Sequence, residues 1–365
     1  LGIRVGEPYA DGYTENIDAF KFGTANTLMV FNFDPLPTTV YVDDSWAGTA
    51  TGADPDGAGP ATAFGYDAFS TIQNGIDGVD VNGTVNVAGG TYVESLVLSK
   101  SGLNIVGSGV DVSTIVGPYN SGGSDTLLIN GSGNTVDGFT ITRNGNVAGS
   151  QWSSNIKNQG INLAAPGGGN TIRNCKITGN RNGIYVGQSS NNNTIRRNSI
   201  TSNRTGLHMV DNNGANLVEE NFITNNWTMG VLFRSEGGTE GVATVRNNNI
   251  TGNWYSEVEY RDSNVGGIQD LSGNYFGAPI TRTTTPSGEP GYLAQVPTFY
   301  GGSATPPASH PTIAGVKSGQ IDYSPYLTLG SDTDSSIPGF QGNFSSLVVT
   351  TDAAQSGAVS RVQEG

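Results

Sequence analysis

At 365 residues, with 13% charged side chains and a formal net charge of −14, the chain can make one large domain or two ordinary ones. It is too acidic to present the basic face that nucleic acid demands. No apolar run approaches the length of a membrane span, and the single cysteine, Cys175, cannot close an internal disulfide. Fifty-four glycines with so little charge suggest disorder, yet the apolar residues keep strict phase along most of the chain, and periodicity outranks composition.

The opening, residues 1–37, stands apart from the remainder of the chain. Its alternating aromatics in DAFKFGTANTLMVFNFDP predict a β-hairpin turning around Asn26. VYVDDSWAG then predicts a strand running into a loop rich in Gly, Pro and Asp. Asp54 and Asp56, before Gly57, form a D-x-D-G cluster that could hold a calcium ion, while the absence of a full ligand loop favours a turn stabilised by Asx bonds. Between 67 and 79, Phe69, Ile72, Ile76 and Val79 stand at helical spacing and predict a short amphipathic cap helix. Short alternating segments broken by Gly and Asn come next, and an insertion between Asn144 and Gly160 carries Trp152.

From Thr171 to Asn253 one phrase recurs: TIRNCKITGN, TIRRNSITSN, LVEENFITNN and TVRNNNITGN. Their anchors Ile177, Ile200, Ile223 and Ile250 lie 23, 23 and 27 residues apart, the period of a solenoid whose coils stack strand on strand. Each phrase leads into a second alternation, GIYV, GLHM, GVLF or EVEY, in which i and i+2 face inward. Ile184, Val186, Leu207, Met209, Val231, Phe233, Val258 and Tyr260 are thereby interior. Asn180, Asn203, Asn226 and Asn253 form one asparagine column, and Cys175, Asn198, Asn221 and Asn248 another, where an amide can bond its counterpart one coil away. GGIQDLSGNYFGAP adds a further coil, with Asn274 and Phe276 in the Asn and Ile positions.

Residues 38–277 are therefore predicted as the solenoid and 278–346 as an irregular closing segment rich in Pro, Thr and Gly. Residues 347–365 echo VYVDDSWAG and STIQNG, as the start of a further, truncated module would.

N-x-I-T-x-N followed by G-[I/L/V]-x-[V/M/F], with the opening FSTIQNGID and GTVNVAGGTYVES, resembles the right-handed parallel β-helix proteins of the pectate-lyase-like superfamily. The resemblance implies an all-β solenoid, an extracellular or cell-surface setting as a module of a large bacterial protein, and a polysaccharide partner. It does not fix activity. The Asp-Pro-His-Glu motif of mannuronan epimerases is absent, as is the Gly-His-Gly of polygalacturonase-like hydrolases. Pectate lyases pair an arginine base with acidic calcium ligands, a pattern that carries over to Arg234 and Arg261 with Asp211, Glu236 and Asp262.

The residues themselves put Tyr185, His208, Leu232 and Glu259 in one outward column open to solvent, with Val210, Arg234 and Arg261 in the next. Asp211, Glu236 and Asp262 stand where these strands leave the sheet. The arginines could hold an acidic sugar while a carboxylate pair or His208 moves a proton, and Trp227 and Trp254 offer stacking faces at the neighbouring turn. A plainer reading makes His208 a solvated side chain, the tryptophans an edge cover and the arginines members of surface ion pairs. Arg173, Arg196, Glu219 and Arg246 form a second outward column whose alternating charge is structural. Two functions stand at this level: a polysaccharide lyase or glycoside hydrolase working in a groove on the coil face, requiring no cofactor but able to use calcium, or a non-catalytic glycan-binding or stalk module.

Overall fold

The computed structural model describes residues 19–22, 29–32, 35–118, 124–144, 159–211, 215–234, 243–253, 256–260, 268–277, 281–283, 312–315 and 321–351, with 353, 355 and 363. Residues 1–36 and 37–365 form separate compact units. In the first, Ala19–Phe22 and Met29–Asn32 pair antiparallel with Phe20 opposite Phe31 and Phe22 opposite Met29, so the connection between them contains Asn26.

The second unit is a parallel β-helix. Among the described residues, its three long sheets have eleven, seven and nine strands, and each coil visits them in that order. One coil shows the plan: Thr171–Arg173 in the eleven-stranded sheet, Lys176–Thr178 in the seven-stranded, Asn182–Val186 in the nine-stranded. The inward residues stack on their own kind. Ile172, Ile195, Val218 and Val245 are in register, as are Ile177, Ile200, Ile223 and Ile250, and all are fully buried.

At one corner a residue in the left-handed region stands just before the ladder position in four successive coils. Asn174, Arg197, Glu220 and Asn247 have φ of 53°, 59°, 58° and 52°, although arginine and glutamate each lose roughly 1–2 kcal/mol there. The bend aims the next side chain inward. From Asn198 and Asn203 onward, each ladder asparagine accepts a hydrogen bond from the equivalent backbone N–H one coil earlier. Asn180 donates to Asn203 Oδ1 at 3.0 Å, Asn203 to Asn226 at 3.1 Å and Asn226 to Asn253 at 3.0 Å. Cys175, Asn198, Asn221 and Asn248 donate likewise to Asn198, Asn221, Asn248 and Asn274, at 2.9–3.0 Å. A third ladder, which the repeat phrase does not reveal, runs from Leu103 through Asn134, Asn170, Asn193 and Asn216.

The cap helix is Ile72–Gly78, shorter than predicted, and Phe69 lies in the two-residue strand Ala68–Phe69 instead. The Thr71 side chain caps its N-terminus, and the Glu94 carboxylate accepts the N–H groups of Ile72 and Gln73 at 2.8 and 3.0 Å, the acidic contact that a helix N-terminus favours. Lys100 Nζ bonds the carbonyls of Asp77 and Val79 at the other end. Gln73 bonds both the N–H and the carbonyl of Val97, satisfying backbone groups on the edge strand Leu96–Leu98.

At the far end, short strands are described within and just after the closing segment. Thr281–Thr283 and Thr312–Gly315 pair in parallel and extend the nine-stranded sheet, and Leu347–Val348 pairs antiparallel with Tyr326–Leu327. The insertion bearing Trp152 lies outside the described residues.

Replacing Ile200 with alanine opens a void at the centre of this stack and is expected to cost about 2–5 kcal/mol in denaturant unfolding. A near-neutral result would place Ile200 outside the core.

Candidate functional site

The strands of the nine-stranded sheet begin where an asparagine ladder passes beneath them. A Cβ at Gly183, Gly206 or Gly230 would lie 2.9, 2.8 or 2.6 Å from the amide nitrogen of Asn203, Asn226 or Asn253, so glycine is required for the close approach. In the next coil that position is Glu257. Its Oε2 accepts hydrogen bonds from the backbone N–H and side-chain amide of Asn253, so the ladder ends on a buried carboxyl. Burial pushes this carboxyl up from 4.5 to about 8, against the pull of the Asn253 bonds. EVEY is thus not simply a variant of the glycine-led phrase.

Beyond this point the strands alternate as expected. Asn162, Tyr185, His208, Leu232 and Glu259 lie side by side in register on the side away from the core. The Tyr185 and His208 rings meet edge to face, with centroids 5.1 Å apart and planes at 88°. His208 and Glu259 are two strands apart, roughly 9.6 Å at the usual inter-strand spacing.

The expected exposure of this column does not hold. His208 is 7% exposed, Leu232 4% and Glu259 1%, and Val210 is also buried. Alternation determines which side of the sheet a residue takes; whether that side is open to water is a separate matter, and at these four positions it is not. Asp211, at the strand end, is 1% exposed and adopts φ 42°. Tyr185 and Trp227 are half-buried and Arg234 is exposed. Glu236, Asp262, Arg261 and Trp254 lie outside the described residues.

The sequence reading missed a polar cluster at the start of the column. Asn162 Nδ2 donates to Asp125 Oδ2 at 2.7 Å, Gln159 N to Asp125 Oδ1 at 2.8 Å, and Asn182 Nδ2 to Gln159 Oε1 at 2.7 Å. Arg143, 5% exposed, donates to the carbonyls of Pro118 and Gln159 at 2.8 and 3.0 Å. Burial raises the Asp125 carboxyl above its ordinary range and lowers Arg143 to about 10, while the attraction between the two works against both shifts. Gly160-Ile161-Asn162-Leu163 matches the repeat phrase and would have identified Asn162 from the sequence. Asp125 and Arg143 carry no such periodic signal.

Asp54 Oδ1 accepts the N–H groups of Asp56 and Gly57 at 3.2 and 2.8 Å, the Asx-turn pattern, and Asp56 Oδ2 accepts that of Ala61 at 3.2 Å. Among the described residues, no group of three or more His, Cys, Asp or Glu side chains is placed to hold a metal ion. On the eleven-stranded sheet the outward charges pair: Arg173 with Asp137 at 2.8 Å, Arg196 with Glu219 and Glu220, Arg197 with Glu220, and Arg246 with Glu219.

Comparison with known proteins agrees with this architecture. A family model described as right handed beta helix region matches residues 70–250. The Agl-KA catalytic domain is similar at 13% identity and a TM-score of 0.50, over 84% of this chain and 51% of that one, so the likeness spans about half of its length. Pectate lyase Pel9A is similar at 13% identity and a TM-score of 0.49, over 88% of this chain and 95% of that one. A pectin methylesterase in complex with a hexasaccharide gives 12% identity and a TM-score of 0.38, over 73% of this chain and 98% of that one. At 13% identity the likeness to the Agl-KA catalytic domain is one of fold. No curated protein matches by sequence.

The Glu257 carboxyl predicts a pH dependence of known sign. Its folded value lies above its unfolded value, so the folded state holds a proton that the unfolded chain releases, and stability falls as pH rises from about 4.5 to about 8. Glu257→Gln keeps an acceptor for Asn253 without the titration. Thermal unfolding across that range should show the wild type losing stability from this group while the variant is flatter and more stable at the alkaline end.

Proposed function

We propose that this right-handed parallel β-helix acts on polysaccharide, as a lyase or glycoside hydrolase that takes its substrate along the outer face of the nine-stranded sheet. The observation that carries the reading is the burial of His208 and Glu259 on that face, with Asp211 buried at the strand end. Keeping titratable groups from water is costly, and acid–base chemistry makes use of it. Arg234 would contact an acidic sugar and Tyr185 and Trp227 its apolar faces. His208 would accept the proton taken from the sugar ring in elimination, or Glu259 and Asp211 would serve as the carboxyl pair of hydrolysis. The setting proposed is outside the cell or on its surface, where such polymers are met. Calcium dependence is part of the same test.

A second reading, a non-catalytic glycan-binding or stalk module, is favoured by one specific observation. The outward charges of the eleven-stranded sheet are paired along Asp137, Arg173, Arg196, Glu219 and Arg246, as a stiff, inert wall would be.

A panel of acidic and neutral polysaccharides, assayed for new reducing ends and for unsaturated-uronate absorbance with calcium and with chelator, separates the readings. Catalysis predicts activity that falls by about 10²–10⁴-fold in His208→Ala or Glu259→Gln with folding intact. Turnover of no polymer, or turnover untouched by both substitutions, would overturn the catalytic reading.

A further inference from the structure

The first coils carry a cleft of about 300 Å³ on a different sheet from the buried column. It is built by local rules. Thr39–Val42 and Thr84–Val87 pair in parallel, so Val40, Val42, Val85 and Val87 go to the core while Tyr41 and Asn86 lie side by side on the outer face. Just after the first of these strands, Asp43 Oδ1 accepts the N–H of Ser45 at 2.9 Å and caps the 3-10 turn Asp44–Trp46, which brings Trp46 to the same cleft.

Its chemistry is distinctive. Among the described residues, the Tyr41 hydroxyl, the Trp46 indole N–H and the Asn86 carboxamide make no hydrogen bond, although all three residues line the cleft. Together they offer two aromatic surfaces, several donors and an amide acceptor. The charged residues of the lining are Asp43 and Asp56, with no Lys, Arg or His among them. Aromatic faces suit the C–H side of a pyranose, and unpaired donors and acceptors suit its hydroxyls. Two carboxylates with no cation repel a uronate, a sulfate or a phosphate. The volume lies at the small end of the range for ligand sites, enough for one or two sugar units.

We propose that this cleft is a saccharide-binding subsite for a neutral hexose unit, held against Trp46 and Tyr41 and hydrogen-bonded to Asn86. It stands whether or not the nine-stranded sheet is catalytic, since it shares no residue with the buried column. Its selectivity is opposite to that expected beside Arg234. A chain engaging both places would carry neutral and acidic units.

Calorimetric titration of the full chain with hexasaccharides of glucose, mannose and galactose units, and with a galacturonate hexasaccharide, tests it. At least one neutral hexasaccharide should bind, with affinity weakened about tenfold or more by Trp46→Ala and by Asn86→Ala. His208→Ala should leave that binding unchanged, which separates this cleft from the buried column. Thermal unfolding checks each variant, and Asn86→Ala, an outer-face change, serves if Trp46→Ala fails to fold. The proposal is overturned if no neutral hexasaccharide binds at about 10 mM, if binding is indifferent to folded Trp46→Ala or Asn86→Ala, or if the galacturonate binds as tightly through the same residues.

Discussion

Buried asparagine side chains couple each coil to the next at the corners of this β-helix, and the rest of the structure depends on that coupling. Apolar stacking alone brings coils together but tolerates sliding, because one aliphatic side chain packs nearly as well on its neighbour as on the next. An amide is directional. Asn203 Nδ2 donates to the Ile177 carbonyl at 2.9 Å while its Oδ1 accepts the Asn180 N–H, and Asn226 repeats the pattern one coil on. A slip of one residue would leave these buried groups unpaired along every ladder, which makes the register all but obligatory. The glycines above the ladder and the left-handed residues before it serve the same requirement.

That fixed register gives the outer faces their character. Side chains at equivalent positions are held one inter-strand spacing apart, so a short repeat writes a line of chemistry along the solenoid. On the eleven-stranded sheet the line is a ladder of ion pairs with Arg196 bridging Glu219 and Glu220, each pair contributing about 0–1 kcal/mol while stiffening the wall. On the nine-stranded sheet it is a sequestered run through Tyr185, His208 and Glu259. At the capped end it becomes Tyr41 and Asn86 under Trp46. One scaffold thus presents three surfaces that differ in burial and charge.

Much of the scaffold was legible because each of its rules acts within a coil or between neighbouring coils. Ile200 was identifiable as core, Asn226 as ladder and His208 as outward from spacing alone. The burial of His208 and Glu259 was not legible, because whether a sheet face is open to water lies outside the period that defines it. Asn134 and Asn170 escaped because coils there are unequal, 36 residues separating the two. Phe69 matched a helical spacing by coincidence, and pairing of Val42 with Phe69 drew it into a strand. Glu257 departed from glycine in a way that only the end of a ladder explains. Asp125 and Arg143 meet across neighbouring coils with no repeat to announce them.

The ladder itself can be measured by a double-mutant cycle on Asn203 and Asn226, comparing Asn203→Ala, Asn226→Ala and the double variant in denaturant unfolding. If the two amides form one cooperative unit, each single change costs about 1–3 kcal/mol and the pair departs from additivity by about 1 kcal/mol or more. Additivity within about 0.3–0.5 kcal/mol would mean that the asparagines act independently and that apolar stacking alone sets the register.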